Sequence, residues 1–318
     1  MKISVIGCGR WGAFIAWYLD SIGHEMTVFG PPEAPEIHTF MKTRTNGTVT
    51  YREEVRLTDD LATAMENDTV VISIPSQNLR SLMENIKPFA PKGKTFILCM
   101  KGIEIATGKR LSEIVSEYYG ADNQVAVWIG PGHPQEFVKG IPNCMVIDSH
   151  SEEVKIKLVN AFSGNLIRFY YGNDMIGNEL GAALKNVIGI AAGMLDGHGF
   201  SSLKGALMSR ATAEVSRMIG AMGGDGRSAY GLCHLGDYEA TVFSKYSHNR
   251  AFGEAFVKGE SFTALAEGYY TADAIHRLAE KNGVDMPICE AVYDILYRNT
   301  DPHETLMALF RRSLKKEF

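Results

Sequence analysis

The chain has 318 residues, 45% of them hydrophobic and 22% charged, which is typical of a globular protein with room for two domains and a large core. Its net charge of -5 argues against an extended nucleic-acid-binding surface, because such surfaces are usually basic. No stretch reaches the roughly 18 uncharged apolar residues of a membrane helix, so we expect no membrane insertion. Five scattered cysteines without metal or disulfide spacing predict reduced thiols, no bound metal and a cytoplasmic protein.

The first twelve residues carry a strand-like apolar run that ends in Gly7-x-Gly9-x-x-Gly12, and a helical pattern follows. A strand, a glycine turn and a helix N-terminus together bind the pyrophosphate of a dinucleotide. We expect Gly7 to make the tight turn, Gly9 to admit the phosphates and Gly12 to let the helix pack close to the strand. Free amides and the helix dipole attract the anion. A turn without a ligand is the alternative, and the flanking strand and helix argue against it.

Strands and helices alternate through the first half of the chain. The predicted strands are residues 3–6, 26–29, 69–74, 95–100, 124–129, 143–147 and 166–171. The predicted helices are residues 11–21, 59–65 and 75–86. This alternation is typical of a doubly wound sheet with ligands at the carboxyl ends of its strands.

From about residue 178 onward the pattern is helical, with few strand signals. The predicted helices are residues 179–195, 206–222, 271–281, 288–297 and 302–314. We therefore predict an α/β plus all-α protein: an N-terminal Rossmann-type doubly wound sheet in residues 1–175, followed by a helical C-terminal domain in residues 176–318. The cleft between two such domains is the expected ligand site.

Two lysines are the strongest candidates for chemistry. Lys185 lies on a predicted helix rich in glycine and alanine, which can carry a side chain close against another domain. A lysine in a partly dehydrated cleft has a lowered pKa and becomes a usable proton donor or acceptor near neutral pH. Lys101 follows a strand at the edge where ligands bind. The residue pattern leaves a solvated lysine as an equal alternative for Lys185, and a capping or surface role for Lys101.

Other polar residues are less specific. His133, His198 and His234 have no partners at metal-ligand spacing, which favours structural or exposed roles. Spacing alone favours a helix N-cap role for Asp237. These patterns indicate a nicotinamide or flavin nucleotide enzyme with a helical second domain, and they name no substrate.

Taken together, the motifs resemble those of bacterial NAD(P)-dependent glycerol-3-phosphate dehydrogenases, in family order along nearly the whole chain. They are the glycine turn with Trp11, Pro75-Ser76-Gln77, Lys101-Gly102, Gly130-Pro131, the block 179–187, Leu235-Gly236-Asp237, Asn249-Arg250-x-Phe252-Gly253, Glu267-Gly268 and Met286-Pro287. The likeness favours functional roles for both lysines over the surface alternatives.

The resemblance implies reversible hydride transfer between NAD or NADP and dihydroxyacetone phosphate, giving sn-glycerol 3-phosphate for glycerophospholipid synthesis. It implies that Lys185 is the general acid/base on the C2 oxygen, that Lys101 contacts cofactor and substrate, and that Asp237 acts with them. It places further substrate-binding residues at Gly130, Gly132, Ser247, His248 and Asn249. It places cofactor-binding residues at Gly7, Gly9, Arg10, Trp11, Gly12, Pro75, Pro134, Leu265 and Glu267. A phosphorylated small-molecule substrate and a homodimer also follow from it.

Three features depart from the family pattern. His248 replaces an arginine that clamps the substrate phosphate, and a histidine offers at most one charge and no bidentate fork. Arg250, two residues further along, is a nearby candidate to replace that arginine, although its side chain is expected to point elsewhere. Gly132 replaces a serine and removes a hydroxyl. The segment 30–33 lacks the basic residue usual after the second strand, and Glu33 favours NAD slightly while NADP stays open.

Two alternatives remain at this point. One is a reductase of a related polyol or keto compound with a different polar tail, which the changes at His248 and Gly132 motivate. The other is a nucleotide-binding sensor without turnover, against which the two lysines and Asp237 argue.

Overall fold

The computed structural model describes residues 1–314 and 316 and divides into two compact units. Met1–Lys101 and Lys109–Glu179 form the first, which we call the sheet unit. Gly102–Gly108 and the chain from Leu180 onward form the second, which we call the helical unit.

The sheet unit is built on one eight-stranded sheet. Its strands are β1 (Lys2–Ile6), β2 (Glu25–Phe29), β3 (Arg56–Thr58), β4 (Thr69–Ile72), β5 (Thr95–Leu98), β6 (Gln124–Ile129), β7 (Asn143–Ser149) and β8 (Ile167–Tyr171). Their order is β3-β2-β1-β4-β5-β6-β7-β8, and neighbours are parallel except β6 and β7. The first six follow the Rossmann order, which confirms the predicted fold class.

Seven helices belong wholly to the sheet unit. They are α1 (Arg10–Ser21), α2 (Pro35–Thr43), α3 (Leu61–Ala64), α4 (Leu79–Ile86), α5 (Leu111–Tyr119), α6 (Pro134–Phe137) and α7 (Glu152–Phe162). On α1, the buried Phe14 ring stacks on Phe137 at 4.9 Å, and the Tyr18 hydroxyl donates to Phe162 O at 2.6 Å. Each large apolar side chain buried in this way contributes about 1.5–3 kcal/mol.

Several of these elements are absent from the sequence prediction: β3, α2, α5, α6 and α7. The helix α2 follows Pro31 and Pro32 and begins at Pro35, so its start looks like a loop in sequence. A proline fits the first helical position, because the N–H it lacks has no partner there in any helix. Strand β3 has only three residues, too few for a clear alternation. The predicted strands 69–74 and 95–100 were too long by two residues each, since the chain leaves the sheet at its carboxyl edge.

Within the described residues, the helical unit contains most of α8 (Met175–Gly197), together with five further α-helices. These are α9 (Lys204–Ala221), α10 (His248–Lys258), α11 (Glu267–Asn282), α12 (Pro287–Tyr297) and α13 (Pro302–Ala308). Residues 180–314 form no β-strand. The predicted helix 302–314 was too long, because a 3₁₀ turn at Leu309–Arg311 follows α13. In the described part of the chain, no helix has both the length and the apolar character needed to cross a bilayer.

Helix α8 is the centre of the helical unit and is buried on all faces, as Leu184, Val187 and Ile190 illustrate with no exposed surface. Its glycines allow backbone contact with α10. A Cβ on Gly193 would lie 1.9 Å from the Arg250 carbonyl oxygen, and one on Gly253 would lie 2.1 Å from that of Ile190. Any larger residue at either glycine would force the two helices apart.

The first turn of α8 is fixed inside the sheet unit. The buried Glu179 carboxylate accepts from Arg110 Nη1 at 2.6 Å and from the Ser112 backbone N–H at 2.9 Å. Burial raises the pKa of Glu179, and the arginine and serine contacts act against that rise. The carboxylate therefore ties the start of α8 to the start of α5.

Replacing Gly12 should destabilise the sheet unit, whereas replacing Gly9 should not. A Cβ on Gly12 would lie 2.0 Å from Gly7 O, so Gly12→Ala must push α1 from the glycine turn. We expect a loss of about 1–3 kcal/mol in the free energy of unfolding, measured by urea denaturation followed by circular dichroism.

Gly9→Ala is the matched control, since no atom lies within 4 Å of its added Cβ and its φ of -66° suits alanine. Its loss should stay below about 1 kcal/mol. Equal losses in the two variants would contradict the close approach of α1 to the turn.

Candidate active site

The glycine turn between β1 and α1 has the geometry of an anion-binding turn. Gly7 has a φ of +107°, and a Cβ there would lie 2.2 Å from Ser73 O. Gly9 directly precedes α1 and faces open space, so its backbone is accessible to a ligand. The turn lies at the carboxyl end of β1, beside β4, where the winding of the sheet reverses and dinucleotides bind.

Three other predicted residues lie at the same edge of the sheet. Pro75, Lys101 and Gly130 follow β4, β5 and β6, which are parallel neighbours. The Lys101 ammonium is half-buried and donates to Gly130 O at 2.9 Å. This contact fixes the lysine on the loop after β6.

The loop after β6 explains the glycine at position 132. Gly130 and Gly132 have φ values of +140° and +137°, which side chains rarely adopt. A Cβ on Gly132 would also lie 2.3 Å from the Phe137 ring. A serine therefore does not fit this loop conformation. The absence of a hydroxyl at position 132 is a consequence of the conformation of the loop.

The segment after β2 is acidic where a 2'-phosphate would need a cation. Residues 30–37 include Glu33 and Glu36 and no lysine or arginine. Burial, with a smaller effect of Glu36, raises the pKa of the Cys8 thiol in the glycine turn to about 11. A Cβ on Gly30 would lie 2.6 Å from Cys8 Sγ and 2.7 Å from Ile37 Cβ, so the acidic segment packs against the glycine turn.

Trp11 and Pro134 also belong to the sheet unit. Trp11 on α1 is half-buried and packs at 5.2 Å against Phe14, while Pro134 is the buried first residue of α6. Arg10 is the first residue of α1 and is exposed. Their contacts with a cofactor stay predictions.

Lys185 forms the centre of a buried polar cluster in the helical unit. Its Nζ lies 2.5 Å from Asp237 Oδ2 and donates to Thr241 Oγ1 at 2.8 Å. Thr241 in turn donates to the Asp237 backbone carbonyl at 2.8 Å. Only 6% of Lys185 is exposed, which excludes the alternative of a solvated surface lysine.

The N-cap role that spacing favours for Asp237 is wrong. Asp237 ends a 3₁₀ turn, Leu235–Asp237, and only 1% of it is exposed. Its carboxylate is directed at the Lys185 ammonium. Leaving a buried charge unpaired costs more free energy than leaving a helix N-terminus without a side-chain cap.

The segment 247–250 begins α10, a helix absent from the sequence prediction. Ser247 is its N-cap, and its side-chain oxygen accepts from the Arg250 N–H at 3.3 Å. Asn249 donates to Asn186 Oδ1 at 3.0 Å and accepts from the Gly268 N–H at 2.9 Å. It thereby joins α8, α10 and the start of α11.

His248 and Arg250 have different surroundings. His248 is exposed, and its Nδ1 lies 3.2 Å from Leu265 O. The Arg250 guanidinium donates to Asp196 at 2.8 Å and to Glu254 at 3.0 Å. Arg250 is therefore already paired with two carboxylates, which also bind Lys204 and Lys258, whereas His248 lies at the surface. Leu265 itself is exposed, and Glu267 is the first residue of α11.

Thr241 is a residue of this cluster that sequence reasoning missed. It lies four residues after Asp237, and His234 and Tyr238 have the same spacing; this interval places side chains on one face of a helical turn. This four-residue spacing is the pattern from which a contact between Thr241 and the cluster could have been predicted. His234 is fully buried, in agreement with a structural role.

Among the described residues, no group of three His, Cys, Asp or Glu side chains could hold a metal.

Comparisons with known proteins identify relatives along the whole chain. Models of the N-terminus and the C-terminus of NAD-dependent glycerol-3-phosphate dehydrogenase match residues 2–155 and 174–307. A glycerol-3-phosphate dehydrogenase (NAD(P)+) of Thermoanaerobacter sp. (strain X514) is 36% identical over 329 residues, covering 100% of this chain and 99% of its own. That of Thermotoga sp. (strain RQ2) is 37% identical over 330 residues, with coverage of 100% and 99%.

A solved structure agrees with these matches. The crystal structure of glycerol-3-phosphate dehydrogenase from Coxiella burnetii has a TM-score of 0.91 and 27% identity, covering 98% of this chain and 99% of its own. The family resemblance inferred from the motifs is thus confirmed.

Removing one partner of the buried Lys185–Asp237 pair should destabilise the protein strongly. Asp237→Asn leaves a buried ammonium without its counter-charge, so we expect a loss of about 3–5 kcal/mol in the free energy of unfolding. The double variant Lys185→Met/Asp237→Asn should recover part of this loss, because it buries no charge. Urea denaturation at pH 7 measures both.

Glu25→Gln is the control for this experiment, since it removes the exposed ion pair with Lys2. Its effect should stay below about 1 kcal/mol. A loss in Asp237→Asn no larger than in Glu25→Gln would show that Lys185 is not held by Asp237.

Proposed function

Because the chain belongs to the NAD-dependent glycerol-3-phosphate dehydrogenase family, we propose that it catalyses reversible hydride transfer between NAD(P)H and dihydroxyacetone phosphate, giving sn-glycerol 3-phosphate. This product feeds glycerophospholipid synthesis. The observation that carries the mechanism is the buried Lys185 ammonium, held by Asp237 and Thr241.

The cofactor fits the sheet unit. The amides of the glycine turn and the N-terminus of α1 would hold the pyrophosphate, with Gly9 as the open position. Trp11, Pro75, Pro134, Leu265 and Glu267 are further proposed cofactor contacts, together with Arg10. When bound, the nicotinamide supplies or accepts the hydride. Glu33 and Glu36 favour NAD over NADP, because a 2'-phosphate needs a cation nearby.

Lys185 serves as the general acid in ketone reduction. As the C2 carbonyl of the substrate is reduced, its oxygen gains negative charge, and the ammonium stabilises that charge and then transfers a proton to it. In the oxidation direction, the neutral amine accepts the hydroxyl proton.

Asp237 and Thr241 orient the Lys185 side chain and balance its charge. Lys101 contacts both the cofactor and the substrate, and Gly130 O keeps its ammonium in place. The backbone of Gly130 and Gly132 lines the substrate site. Because residue 132 is a glycine, only its backbone groups, and no side-chain hydroxyl, contact the substrate there.

We assign recognition of the substrate phosphate to the start of α10. A phosphate at Arg250 would compete with two carboxylates for the guanidinium. His248 is exposed on the same turn and binds the anion in its protonated form. Ser247 and Asn249 hold this turn and offer hydrogen-bonding groups beside it.

Three further features are part of this proposal. Residues 1–175 serve as the dinucleotide-binding domain and 176–318 as the substrate domain, of which 315, 317 and 318 lie outside the described residues. The helical domain also mediates a homodimer, as an expectation from the family. The five free cysteines support a cytoplasmic location, because thiols stay reduced there.

The decisive experiment is a steady-state assay of NADH and NADPH oxidation with dihydroxyacetone phosphate and with phosphate-free dihydroxyacetone. Dihydroxyacetone phosphate should have a kcat/KM at least about 100-fold higher than dihydroxyacetone, because the phosphate-free substrate lacks the charged contact. Lys185→Met should bind NADH, seen by fluorescence titration, while kcat falls by about 100-fold or more.

Equal kcat/KM values with and without the phosphate would indicate a reductase of another keto compound. NADH binding without turnover of any ketone would indicate a nucleotide-binding sensor. Turnover by Lys185→Met near the wild-type rate would remove the lysine from its assigned role.

His248→Arg should strengthen phosphate recognition. A guanidinium is always charged and can bind phosphate through two hydrogen bonds, so KM for dihydroxyacetone phosphate should fall by about tenfold at pH 8. The KM for dihydroxyacetone should not change. His303→Arg, at another exposed histidine of the same unit, is the control. An equal change with both substrates would place His248 away from the phosphate.

A further inference from the structure

Two buried side chains in the helical unit lie on either side of Asp237 and take no direct part in the chemistry above. His234 and Tyr238 have no exposed surface. His234 Nδ1 lies 2.9 Å from Gly181 O on α8, and its Nε2 lies 2.6 Å from the Tyr238 hydroxyl. Their rings meet edge to face at 4.8 Å.

The chemistry of these groups fixes the direction of both hydrogen bonds. A carbonyl oxygen can only accept, so Nδ1 of His234 must carry the proton that is shared with Gly181 O. In a neutral imidazole Nε2 is then an acceptor, and the Tyr238 hydroxyl donates to it. Burial lowers the pKa of His234 to about 4 and raises the pKa of Tyr238, so both side chains are neutral near pH 7.

Each end of this hydrogen-bonded chain meets the Lys185 cluster through the backbone. Gly181 lies one turn before Lys185 on α8, and in an α-helix its carbonyl also accepts the N–H of residue 185. The Asp237 N–H donates to His234 O at 3.0 Å, and the Thr241 N–H donates to Tyr238 O at 3.0 Å. The hydrogen bonds of His234 and Tyr238 therefore join the turn of α8 that carries Lys185 to the segment that carries Asp237 and Thr241.

The packing around the chain leaves little room for movement. A Cβ on Gly181 would lie 2.8 Å from Cys233 Sγ and 3.2 Å from His234 Cβ, so the segment rests directly on α8. The charged groups near His234 are Lys185 and Asp237, whose effects on the imidazole oppose each other. Near Tyr238 lie the carboxyl group of Glu214, the uncharged thiol of Cys289 and the hydroxyl of Thr212.

We propose that His234 and Tyr238 are positioning residues for the reaction, which hold Lys185 Nζ in register with Asp237 and Thr241. The inference rests on the proposed role of Lys185 as the proton donor. Proton transfer requires the donor within hydrogen-bonding distance of the reacting oxygen, and a shift of about 1 Å in such a group can cost a hundredfold in rate.

The test uses Tyr238→Phe, which removes one oxygen atom and leaves the ring in place. We expect kcat per folded molecule to fall about tenfold, with KM for the ketone and for NADH within about twofold of the wild type. The pH profile of kcat should also shift, because the environment of the Lys185 amine changes. His234→Asn keeps a donor for Gly181 O and removes the acceptor for Tyr238, so it should have the same effect.

The double variant and a control separate positioning from a loss of stability. His234→Asn and Tyr238→Phe break the same link, so the double variant should lose no more activity than either single one. Tyr297→Phe removes a similar hydroxyl contact, to Tyr269 O at 2.8 Å, and should keep the wild-type kcat and pH profile.

Wild-type values of kcat and pH profile in Tyr238→Phe would overturn the proposal, as would an equal loss in Tyr297→Phe. If His234→Asn does not fold, Tyr238→Phe alone decides. All variants are compared on whichever ketone the wild type reduces. Failure of dihydroxyacetone phosphate as a substrate therefore refutes the proposed function and leaves the test of positioning intact.

Discussion

The contact between the Lys185 ammonium and the Asp237 carboxylate is the constraint on which the helical unit depends. Helix α8 is buried on all faces, so a charge on it is costly unless an opposite charge reaches it. The short turn Leu235–Asp237 supplies that charge, and Thr241 and the His234–Tyr238 chain keep the turn against the helix. The same contact gives the lysine a defined position, which proton transfer requires.

A second constraint is the direct approach of backbones, which recurs in both units. In the sheet unit Gly12 brings α1 against Gly7, which shapes the turn where a pyrophosphate would bind. In the helical unit Gly193 and Gly253 bring α8 and α10 together, which sets where the turn with His248 begins. The residues proposed to bind ligands therefore lie on helices and turns that pack so closely that only glycine fits between them.

The departures from the family pattern have structural counterparts. Gly132 occupies a backbone conformation and a space against Phe137 that exclude a serine, so that change involves the whole loop. At the start of α10, Arg250 is held by Asp196 and Glu254, which leaves His248 as the exposed basic group. With the role proposed for His248, substrate affinity is expected to depend on the protonation of an imidazole.

The Rossmann-type sheet, the helical second half and the glycine turn could be predicted from the sequence, because strand and helix periods and glycine spacing are local properties. The sequence also marked Lys185 and Lys101, through their places on a helix and after a strand. Three features are visible only in the folded chain: Asp237 binds Lys185 instead of capping a helix, Arg250 is already paired, and His234 and Tyr238 pack beside the cluster. These outcomes depend on contacts between residues about 50 positions apart, which no local pattern encodes.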